Sequence, residues 1–333
     1  MDHDHRDELV FWNGAILPRE EAAMDVLDRG VVFGDGVYEV VRFVNGRPFE
    51  MGRHLTRLER SSAGFDLPLP MMLGDVEQAC CELVERRGLS EAKVYLQVTR
   101  GPAKRDHVMP EEPTPTLLLV ADAMHPLPAA DAKPAGRRVT ACEDNRWGDC
   151  WIKSLMLLPN SLAKTRATRA GFDDAIFVRL PKGGDAPSDA QTASACEPTF
   201  AGEITNAGDA ATRSDLDAGV VTESTVANVL IVTAGVIRTH PADRRILGGV
   251  TRDVLLELAR AEGIEVDETP ATLAAAKRAD EVLLCGTTSA VAAVTCIDDQ
   301  RIANAEAGPV SRKLHRLLIA RMRVTCGLEA GAA

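Results

Sequence analysis

The sequence lacks the long apolar run that a membrane-spanning helix needs. In 333 residues, no hydrophobic stretch approaches the roughly 20 residues required to cross a bilayer. It also lacks an excess of basic residues, because the formal net charge is −11, whereas a nucleic-acid-binding protein normally carries a basic face. These absences argue against a membrane protein and against a partner made of nucleic acid.

The cysteines show no pattern of metal binding. None of the eight cysteines belongs to a C-x-x-C pair, and the adjacent Cys80 and Cys81 could not easily bind one metal together. The N-terminal stretch MDHDHRDELV is polar and lacks the apolar core of a signal peptide. We therefore expect free thiols, no metal site and a cytoplasmic location.

Alternating strand and helix patterns predict a mixed α/β protein with two domains. Residues 125–136, HPLPAADAKPAG, are rich in Pro and Ala without periodicity, which is typical of a linker. We therefore predict a small N-terminal domain over 1–128, a linker over 129–136 and a larger domain over 137–333. Residues 180–218 hold few large apolar groups, which favours a flexible surface insertion. A flap over the active site is the alternative.

Periodicity places the elements of both domains. In the first domain we predict a hairpin over 9–17 with its turn at Asn13-Gly14, strands over 37–44, 93–99 and 116–122, and helices over 54–64 and 75–87. In the second domain we predict strands over 137–142, 174–179, 228–233 and 282–285, and helices over 158–170 and 251–262.

Lys153 lies in an unusually apolar stretch, between Trp151-Ile152 and Leu155 to Leu158. A buried cationic side chain is costly unless it is paired or reactive. Burial favours the neutral amine, which is a nucleophile able to form a Schiff base. A lysine that extends from a strand end to solvent is the alternative.

Two glycine-containing turns could bind an anion. Residues 248–251, GGVT, precede a predicted helix, whose N-terminal amides and dipole attract phosphate. Residues 286–289, GTTS, follow a predicted strand and offer hydroxyl groups. A threonine-capped helix and an ordinary polar turn are the respective alternatives. Arg57 could supply a charged clamp, or it could simply lie on a helix surface.

Two further features could recognise a carboxylate and a cation. Arg105 and His107 lie two residues apart after a predicted strand, where together they could hold a carboxylate. A solvated loop is the alternative. Glu223 lies among Val, Thr and Ser in 221–228, at the start of the strand that we expect after the insertion. It could pair with a cationic ring nitrogen, or it could be an exposed glutamate.

The order of these motifs resembles the fold-type IV family of pyridoxal-phosphate enzymes, and within it the D-amino acid aminotransferases. The resemblance covers residues 10–320. It rests on DRGVVFGDGVYEVVRFVNG (28–46), HLTRLERS (54–61), VYLQVTRG (94–101), RDH (105–107), EDNRWGDCWIKSLMLLPNSLAK (143–164), VTEST-x-x-N (221–228), THPADRRILGGVTRD (239–253) and GTTS (286–289).

The resemblance implies a cofactor, pyridoxal 5'-phosphate, and a set of residues that hold it. Lys153 matches the lysine that forms the internal aldimine and moves the proton between the substrate Cα and the cofactor C4′. Glu223 matches the carboxylate that keeps the pyridine nitrogen protonated, so that the ring acts as an electron sink. The residues that match the phosphate-binding set are Arg57, Val250, Thr251 and Thr287.

The resemblance also implies the substrate site and its assembly. Tyr38, Arg105 and His107 match the trap for the substrate carboxylate, and Thr288 is assigned to the substrate as well. In the D-amino acid enzymes the arginine and the histidine of this trap come from the partner subunit. A homodimer is therefore implied.

The implied architecture is a small N-terminal α/β domain and a larger, barrel-like α/β domain. The implied reaction moves the amino group of D-alanine, D-glutamate or D-aspartate to a 2-oxo acid. Branched-chain aminotransferases and aminodeoxychorismate lyases share the lysine, the glutamate and the phosphate set, and Arg105-x-His107 favours the D-amino acid group. A non-catalytic phosphate-binding protein would need neither Lys153 nor Glu223. The sequence departs from the family at Ser224, where glycine is common, and in the insertion over 180–218.

Overall fold

The computed structural model describes residues 8–180 and 211–329. The described residues pack into two compact units. Unit 1 lies within Met1–Ala132, Asp149–Leu157 and His315–Ala333, and unit 2 lies within Lys133–Gly148 and Leu158–Leu314. The sequence predicts a single division at 129–136, whereas the chain returns to unit 1 twice after Ala132. Residues 181–210 of the predicted insertion lie outside the described residues.

Unit 1 is an antiparallel sheet with helices on one face. Its strands follow the order β2-β1-β6-β5-β3-β4. They are β1 (Leu9–Trp12), β2 (Ala15–Pro18), β3 (Gly36–Val44), β4 (Arg47–Pro48), β5 (Ala92–Thr99) and β6 (Thr116–Ala123), and the helices are α1 (Arg29–Phe33), α2 (Met51–Ala63) and α3 (Leu73–Arg86). The predicted elements are confirmed, although α2 begins at Met51 rather than at His54.

The helices cover this sheet because their apolar side chains repeat with helical spacing. Leu55 and Leu58 of α2, and Val76 and Leu83 of α3, are all buried. In β5 the alternation buries one face, including Val94, while residues of the other face stay partly exposed. The sheet therefore has one packed face and one open face, which is common in antiparallel sheets.

The segment Asp149–Leu157 belongs to unit 1 because it pairs with the start of β3. The amide of Leu155 donates to the carbonyl of Gly36 at 3.0 Å. A Cβ at Gly36 would lie 2.5 Å from the carbonyl oxygen of Val98 and 2.7 Å from Leu155 Cδ1. Only glycine allows the two chains to approach this closely, so residue 36 brings the lysine segment to the sheet.

Unit 2 is built on a second sheet that closes on itself. Its strands are β7 (Ala135–Glu143), β8 (Asp174–Arg179), β9 (Val220–Ser224), β10 (Asn228–Thr233), β11 (Val236–Arg238), β12 (Val266–Asp267), β13 (Glu281–Gly286), β14 (Ala290–Ile297) and β15 (Gln300–Arg301), and its helices are α4 (Leu158–Arg169), α5 (Arg213–Ala218), α6 (Val250–Ala261) and α7 (Leu273–Lys277). A last helix, α8, spans Pro309–Thr325.

The ring of unit 2 runs β10-β13-β14-β7-β8-β9 and returns to β10. Glu223 of β9 pairs with Asn228 of β10 to close it. The predicted barrel-like character of the larger domain is confirmed. Glu223 lies near the end of β9, not at the start of the strand that follows the insertion, and α5 occupies part of the segment for which the composition predicted a flexible loop.

The described residues bear on two expectations from composition. Their seven cysteines are free thiols, and the cytoplasmic location stays a prediction. None of the helices within 8–180 and 211–329 is long and apolar enough to cross a membrane.

Gly101 is expected to be essential for the turn after β5. Its φ is +83°, and a Cβ there would overlap the carbonyl oxygen of Thr114. Gly101→Ala should lower the free energy of unfolding by about 3 kcal/mol, since it combines a left-handed backbone with steric overlap. Gly46→Ala is the matched control, because Gly46 has φ +68° with nothing within 4 Å of its Cβ position. Denaturant titrations should show that this control lowers the free energy of unfolding by about 1 kcal/mol. Equal losses in the two variants would contradict the role of steric overlap at Gly101.

Candidate active site

The main chain of Lys153 is fixed on both sides. Its carbonyl accepts a hydrogen bond from the amide of Tyr38 at 2.9 Å. Its own amide donates to Ser61 Oγ at 3.1 Å. Tyr38 belongs to β3 and Ser61 to α2, so two elements of unit 1 hold the residue. A lysine fixed in this way presents its side chain from a constant position.

The amine of Lys153 lies over an aromatic ring. Its Nζ is 4.1 Å from the centre of the Tyr38 ring, a distance that suits a cation–π contact when the amine is protonated. The residue is half-buried. Tyr38 also packs against Tyr95, with ring centres 5.7 Å apart. The structure thus brings together two predicted site residues, Lys153 and Tyr38.

Arg57 is buried on α2 and pairs with a carboxylate that sequence reasoning missed. Its Nε and Nη2 donate to Oε1 and Oε2 of Glu39 at 2.7 and 2.8 Å. His54 Nδ1 lies 2.8 Å from Glu39 Oε2. The alternative of a surface arginine is therefore wrong. The available signal was Glu39 itself, because a carboxylate inside the apolar strand VYEVV demands a buried partner.

The charges of this cluster follow from burial and pairing. Burial would raise the pKa of Glu39, but Arg57 and His54 outweigh it and hold the pKa well below its ordinary value of 4.5. Burial lowers the pKa of His54, and the neighbouring Glu39 opposes that shift. A neutral His54 with its proton on Nδ1 can donate to Glu39. The carboxylate thus stays ionised and fixes the orientation of Arg57.

Arg105 and His107 lie elsewhere in unit 1, on the exposed loop between β5 and β6. Arg105 Cζ is 5.5 Å from the centre of the Phe33 ring. The His107 ring is 5.6 Å from the same ring. The two predicted trap residues therefore meet at Phe33, which the sequence did not identify.

In unit 2, Glu223 is buried at 7% exposure and bound by three donors. Arg146 forms an ion pair with its Oε1. Asn228 Nδ2 and the amide of Leu247 donate to its Oε2 at 3.3 and 3.2 Å. The alternative of an exposed glutamate is wrong. The sequence alone indicates no role for Arg146, because its partner Glu223 is distant in the chain. Asn228 lies only five residues from Glu223, so the motif VTEST-x-x-N was the available signal for this pair.

Asp144 orients Arg146 from its other side. Arg146 Nε and Nη2 donate to the two oxygens of Asp144, both at 2.9 Å, and Thr222 Oγ1 donates to Asp144 Oδ2 at 2.9 Å. Burial would raise the pKa of Asp144, but the bonds from Arg146 prevail and lower it. Burial raises the pKa of Glu223, and Arg146 opposes this without reversing it. Asp144 is thus the ionised partner and Glu223 the carboxyl that takes a proton more readily.

The N-terminus of α6 has the form of an anion site. Gly249 is its N-cap, and no side chain in the described part of the chain caps it. The alternative of a threonine cap is therefore wrong, and Val250 and Thr251 are buried in the first turn. A Cβ at Gly249 would overlap Asn228 Oδ1. Asn228 Nδ2 also donates to the carbonyl of Leu247 at 2.9 Å, so one side chain links this turn to Glu223.

The remaining predicted residues lie in turns of unit 2. Thr287 and Thr288 follow β13, the first half-buried and the second exposed. Ser224, which stands where glycine is common, lies at the end of β9 and is buried. Its Oγ accepts a hydrogen bond from the amide of Ala227 at 3.0 Å. The serine thus stabilises the turn that joins β9 to β10.

Comparison with known proteins identifies a family. The sequence profile of the class IV amino-transferases matches residues 36–181 and 216–297. The unmatched stretch between them falls inside the predicted insertion. The D-alanine aminotransferase of Listeria monocytogenes is 35% identical over 320 residues, which is 96% of this chain and 97% of the relative. That of Bacillus licheniformis is 33% identical over 309 residues, which is 93% of this chain and 95% of the relative.

Solved structures show the same fold. The branched-chain amino acid aminotransferase of Escherichia coli has a TM-score of 0.74 at 21% identity, over 92% of each chain. The branched-chain aminotransferase of the archaeon Thermoproteus uzoniensis, solved with norvaline, has a TM-score of 0.74 at 21% identity, over 96% of this chain and 95% of its own. At these identities the likeness establishes the fold and leaves the substrate open.

Glu39→Gln should destabilise the protein in a pH-dependent way. Removing the charge leaves Arg57 buried without its partner, and we expect a loss of about 3 kcal/mol at pH 7. Because the folded-state pKa of Glu39 lies below its ordinary 4.5, its contribution is present above pH 4.5 and is lost as the pH falls below that value. Denaturant titrations should therefore show a difference in the free energy of unfolding between wild type and variant that becomes smaller below pH 4.5.

Glu91→Gln is the matched control for this measurement. Glu91 pairs with Arg42 at 3.1 Å, but its side chain is 15% exposed. Removing its charge should therefore lower the free energy of unfolding by less than Glu39→Gln does. The difference in the free energy of unfolding between wild type and Glu39→Gln could instead stay constant down to about pH 3.5, well below the ordinary pKa of a glutamate. That result would contradict the proposed ionisation of Glu39.

Proposed function

The chain belongs to the class IV amino-transferase family, and we propose that it transfers the amino group of a D-amino acid to a 2-oxo acid, with pyridoxal 5'-phosphate as its cofactor. D-alanine, D-glutamate and D-aspartate are the proposed donors. The observation that carries the proposal is the Lys153 amine, which lies over Tyr38 on a main chain fixed by β3 and α2. The identity of 35% and 33% with two D-alanine aminotransferases over nearly the whole chain supports the choice of substrate.

The residues present fit the chemical groups of this cofactor. Its aldehyde needs a primary amine, which Lys153 offers. Its phosphate needs backbone donors, and α6 begins at Gly249 without a side-chain cap from the described residues. Its pyridine nitrogen needs a carboxylate, and Glu223 is buried with three donors. We assign the phosphate to Arg57, Val250, Thr251 and Thr287.

The protein's part in the reaction is to orient the substrate and to move one proton. When bound, the cofactor supplies a ring that accepts the electron pair released at the substrate Cα. Lys153 Nζ would take the proton from the substrate Cα as a general base and would then deliver it to the cofactor C4′ as a general acid. Glu223 would pair as a carboxylate with the protonated ring nitrogen. Arg146 favours this form, because it limits how far burial raises the pKa of that carboxyl.

The substrate carboxylate is assigned to Tyr38, Arg105 and His107, with Thr288 as a further substrate contact. Guanidinium and imidazole groups suit a carboxylate. A carboxylate held by these residues fixes which face of the substrate Cα meets Lys153. The carboxylate trap therefore also selects the enantiomer of the substrate. Substrates without a carboxylate should therefore bind poorly.

We propose a homodimer in which Arg105 and His107 serve the partner's site. Both residues are exposed on their own subunit, as residues that act on another chain must be. Apolar side chains beside them are exposed too, namely Val26 at 82%, Val31 at 62% and Val108 at 77%. Exposed apolar groups near a functional loop are typical of an interface, and a second copy of this chain would cover them.

The substrate assignment is tested with a panel of donors. With D-alanine and 2-oxoglutarate the enzyme should produce pyruvate, and D-glutamate and D-aspartate should also react, whereas L-leucine should not. Lys153→Ala should lower turnover by about 10³-fold or more, because it removes the group that moves the proton. Lys93→Ala is the control, since it removes only an ion pair with Asp122 on unit 1.

Two results would count against this assignment. Turnover of L-leucine without any D-amino acid would favour a branched-chain aminotransferase. Release of 4-aminobenzoate from aminodeoxychorismate would favour the lyase. Either result would leave the family unchanged and would remove the D-amino acid substrate.

The dimer is tested by mixing two defective subunits that carry different affinity tags. Lys153→Ala homodimers should be inactive, and Arg105→Ala homodimers should have a KM for D-alanine raised about tenfold or more. A mixed dimer contains one site that has both natural residues if Arg105 acts on the partner. Its KM should therefore return to the wild-type value, with about half the turnover per dimer. A KM that stays high would place Arg105 in its own subunit's site.

A further inference from the structure

Arg29 occupies a position that a structural role alone does not explain. It is buried at 4% exposure on the short helix α1. Its Nε donates to Asp35 Oδ2 at 2.7 Å, and its Nη1 donates to the carbonyl of Asp106 at 2.7 Å. Asp106 stands between Arg105 and His107. One guanidinium therefore ties the middle of this loop to unit 1.

Phe33, on the same helix, contacts both neighbours of Asp106. Arg29 Cζ lies 4.6 Å from the centre of its ring. Arg105 approaches the ring at 5.5 Å and His107 at 5.6 Å. A ring in contact with two cationic or ionisable side chains favours them through its negative face. Phe33 thus contacts both side chains that are assigned to the carboxylate trap.

The base of the loop is anchored to the same helix. The amide of Arg29 donates to the carbonyl of Gly101 at 3.0 Å. Asp28 accepts hydrogen bonds from Thr99 Oγ1 and Thr116 Oγ1, both at 2.9 Å. These bonds join α1 to the ends of β5 and β6, which flank the loop. Helix α1 and the base of the loop are therefore joined by hydrogen bonds.

We propose that Arg29 and Phe33 are positioning residues for substrate recognition, which hold Arg105 and His107 in the geometry that binds the substrate carboxylate. The inference rests on the proposed function, because it takes the carboxylate trap as given. Neither residue is assigned to touch the substrate. Their contribution is to reduce the conformational freedom that an exposed loop would otherwise lose on binding.

Asp35 pairs with two buried arginines, and the second of them supplies a control. Its Oδ2 accepts from Arg29 Nε and from Arg100 Nε, the latter at 2.8 Å. The other nitrogens of Arg100 donate to the carbonyls of Phe65 and Asp66 at 2.7 and 2.9 Å. Arg100 is thus as buried as Arg29 and shares its carboxylate, but its carbonyl partners follow α2 in the chain and are not part of the loop. Replacing Arg100 therefore removes a buried arginine without removing the hydrogen bond from Arg29 to the loop, so it distinguishes an effect on stability from an effect on loop position.

The test compares four variants of the cofactor-loaded enzyme with wild type. Arg29→Met and Phe33→Leu should each raise the KM for D-alanine about tenfold, with kcat and cofactor absorbance nearly unchanged. Phe33→Tyr keeps the ring and should keep the wild-type KM. Arg100→Met should lose thermal stability but keep that KM as well. Turnover of a primary amine without a carboxylate should be the same in all of them.

Mixed dimers give a readout that a purely structural role would not move. A tagged Arg29→Met subunit is paired with a Lys153→Ala subunit, which carries a natural Arg29 and a natural loop. If Arg29 acts through Arg105 on the partner's site, the one active site of this dimer has a wild-type KM. If the KM stays raised, Arg29 acts on its own subunit and the inference is overturned.

Arg105→Ala separates the two levels of the argument. If it leaves the KM for D-alanine unchanged, the carboxylate trap is wrong and this inference falls with it. If Arg105→Ala raises the KM while Arg29→Met and Phe33→Leu do not, only the positioning role is overturned. Because Phe33→Leu leaves the buried ion pair intact, it decides the matter even if Arg29→Met fails to fold.

Discussion

A carboxylate that leaves water needs a partner, and this requirement organises the functional parts of both units. Glu39, Asp35 and Asp144 are each buried and each bound by an arginine. In every case the arginine is of more interest than the carboxylate, because pairing fixes the direction of a long, flexible side chain. Arg57, Arg29 and Arg146 are held in this way. Burial of each ion pair has a desolvation cost, and the pairing holds the arginine in one orientation.

The sequence predicted what depends on local pattern. The strands and helices that were predicted from apolar periodicity agree with the structure to within a few residues at each end. No prediction covered β14 or the last helix, α8. Glu223 could be singled out because a carboxylate among Val and Thr is unusual. By contrast, Glu39, Arg146 and Arg29 could not be assigned a role, since each acts through a partner that only the folded chain brings near.

The division into units illustrates the same limit. Composition identifies a linker where Pro and Ala accumulate, but it does not indicate that a later segment pairs with an earlier strand. Asp149–Leu157 joins unit 1 through hydrogen bonds to β3, and a glycine at position 36 makes that pairing possible. Both facts depend on contacts between residues far apart in the chain. The apolar stretch around Lys153 and the resemblance to a family both pointed to this residue. Its contacts with Tyr38 and Ser61 could be found only in the folded chain.

The closure of the ring in unit 2 affects which site residues would be kept if a related protein lost its activity in evolution. In the described part of the chain, the Glu223 side chain accepts hydrogen bonds from Asn228 Nδ2 of β10 and from the amide of Leu247, and it pairs with Arg146. The side chain assigned to the cofactor therefore also stabilises the place where the two strands meet. Selection for a folded barrel therefore acts on position 223 whether or not the chemistry is under selection. A descendant that had lost catalysis would be under pressure to keep this glutamate, but under none to keep the lysine. Among such descendants, the lysine at position 153 is the better indicator that the enzyme is still active.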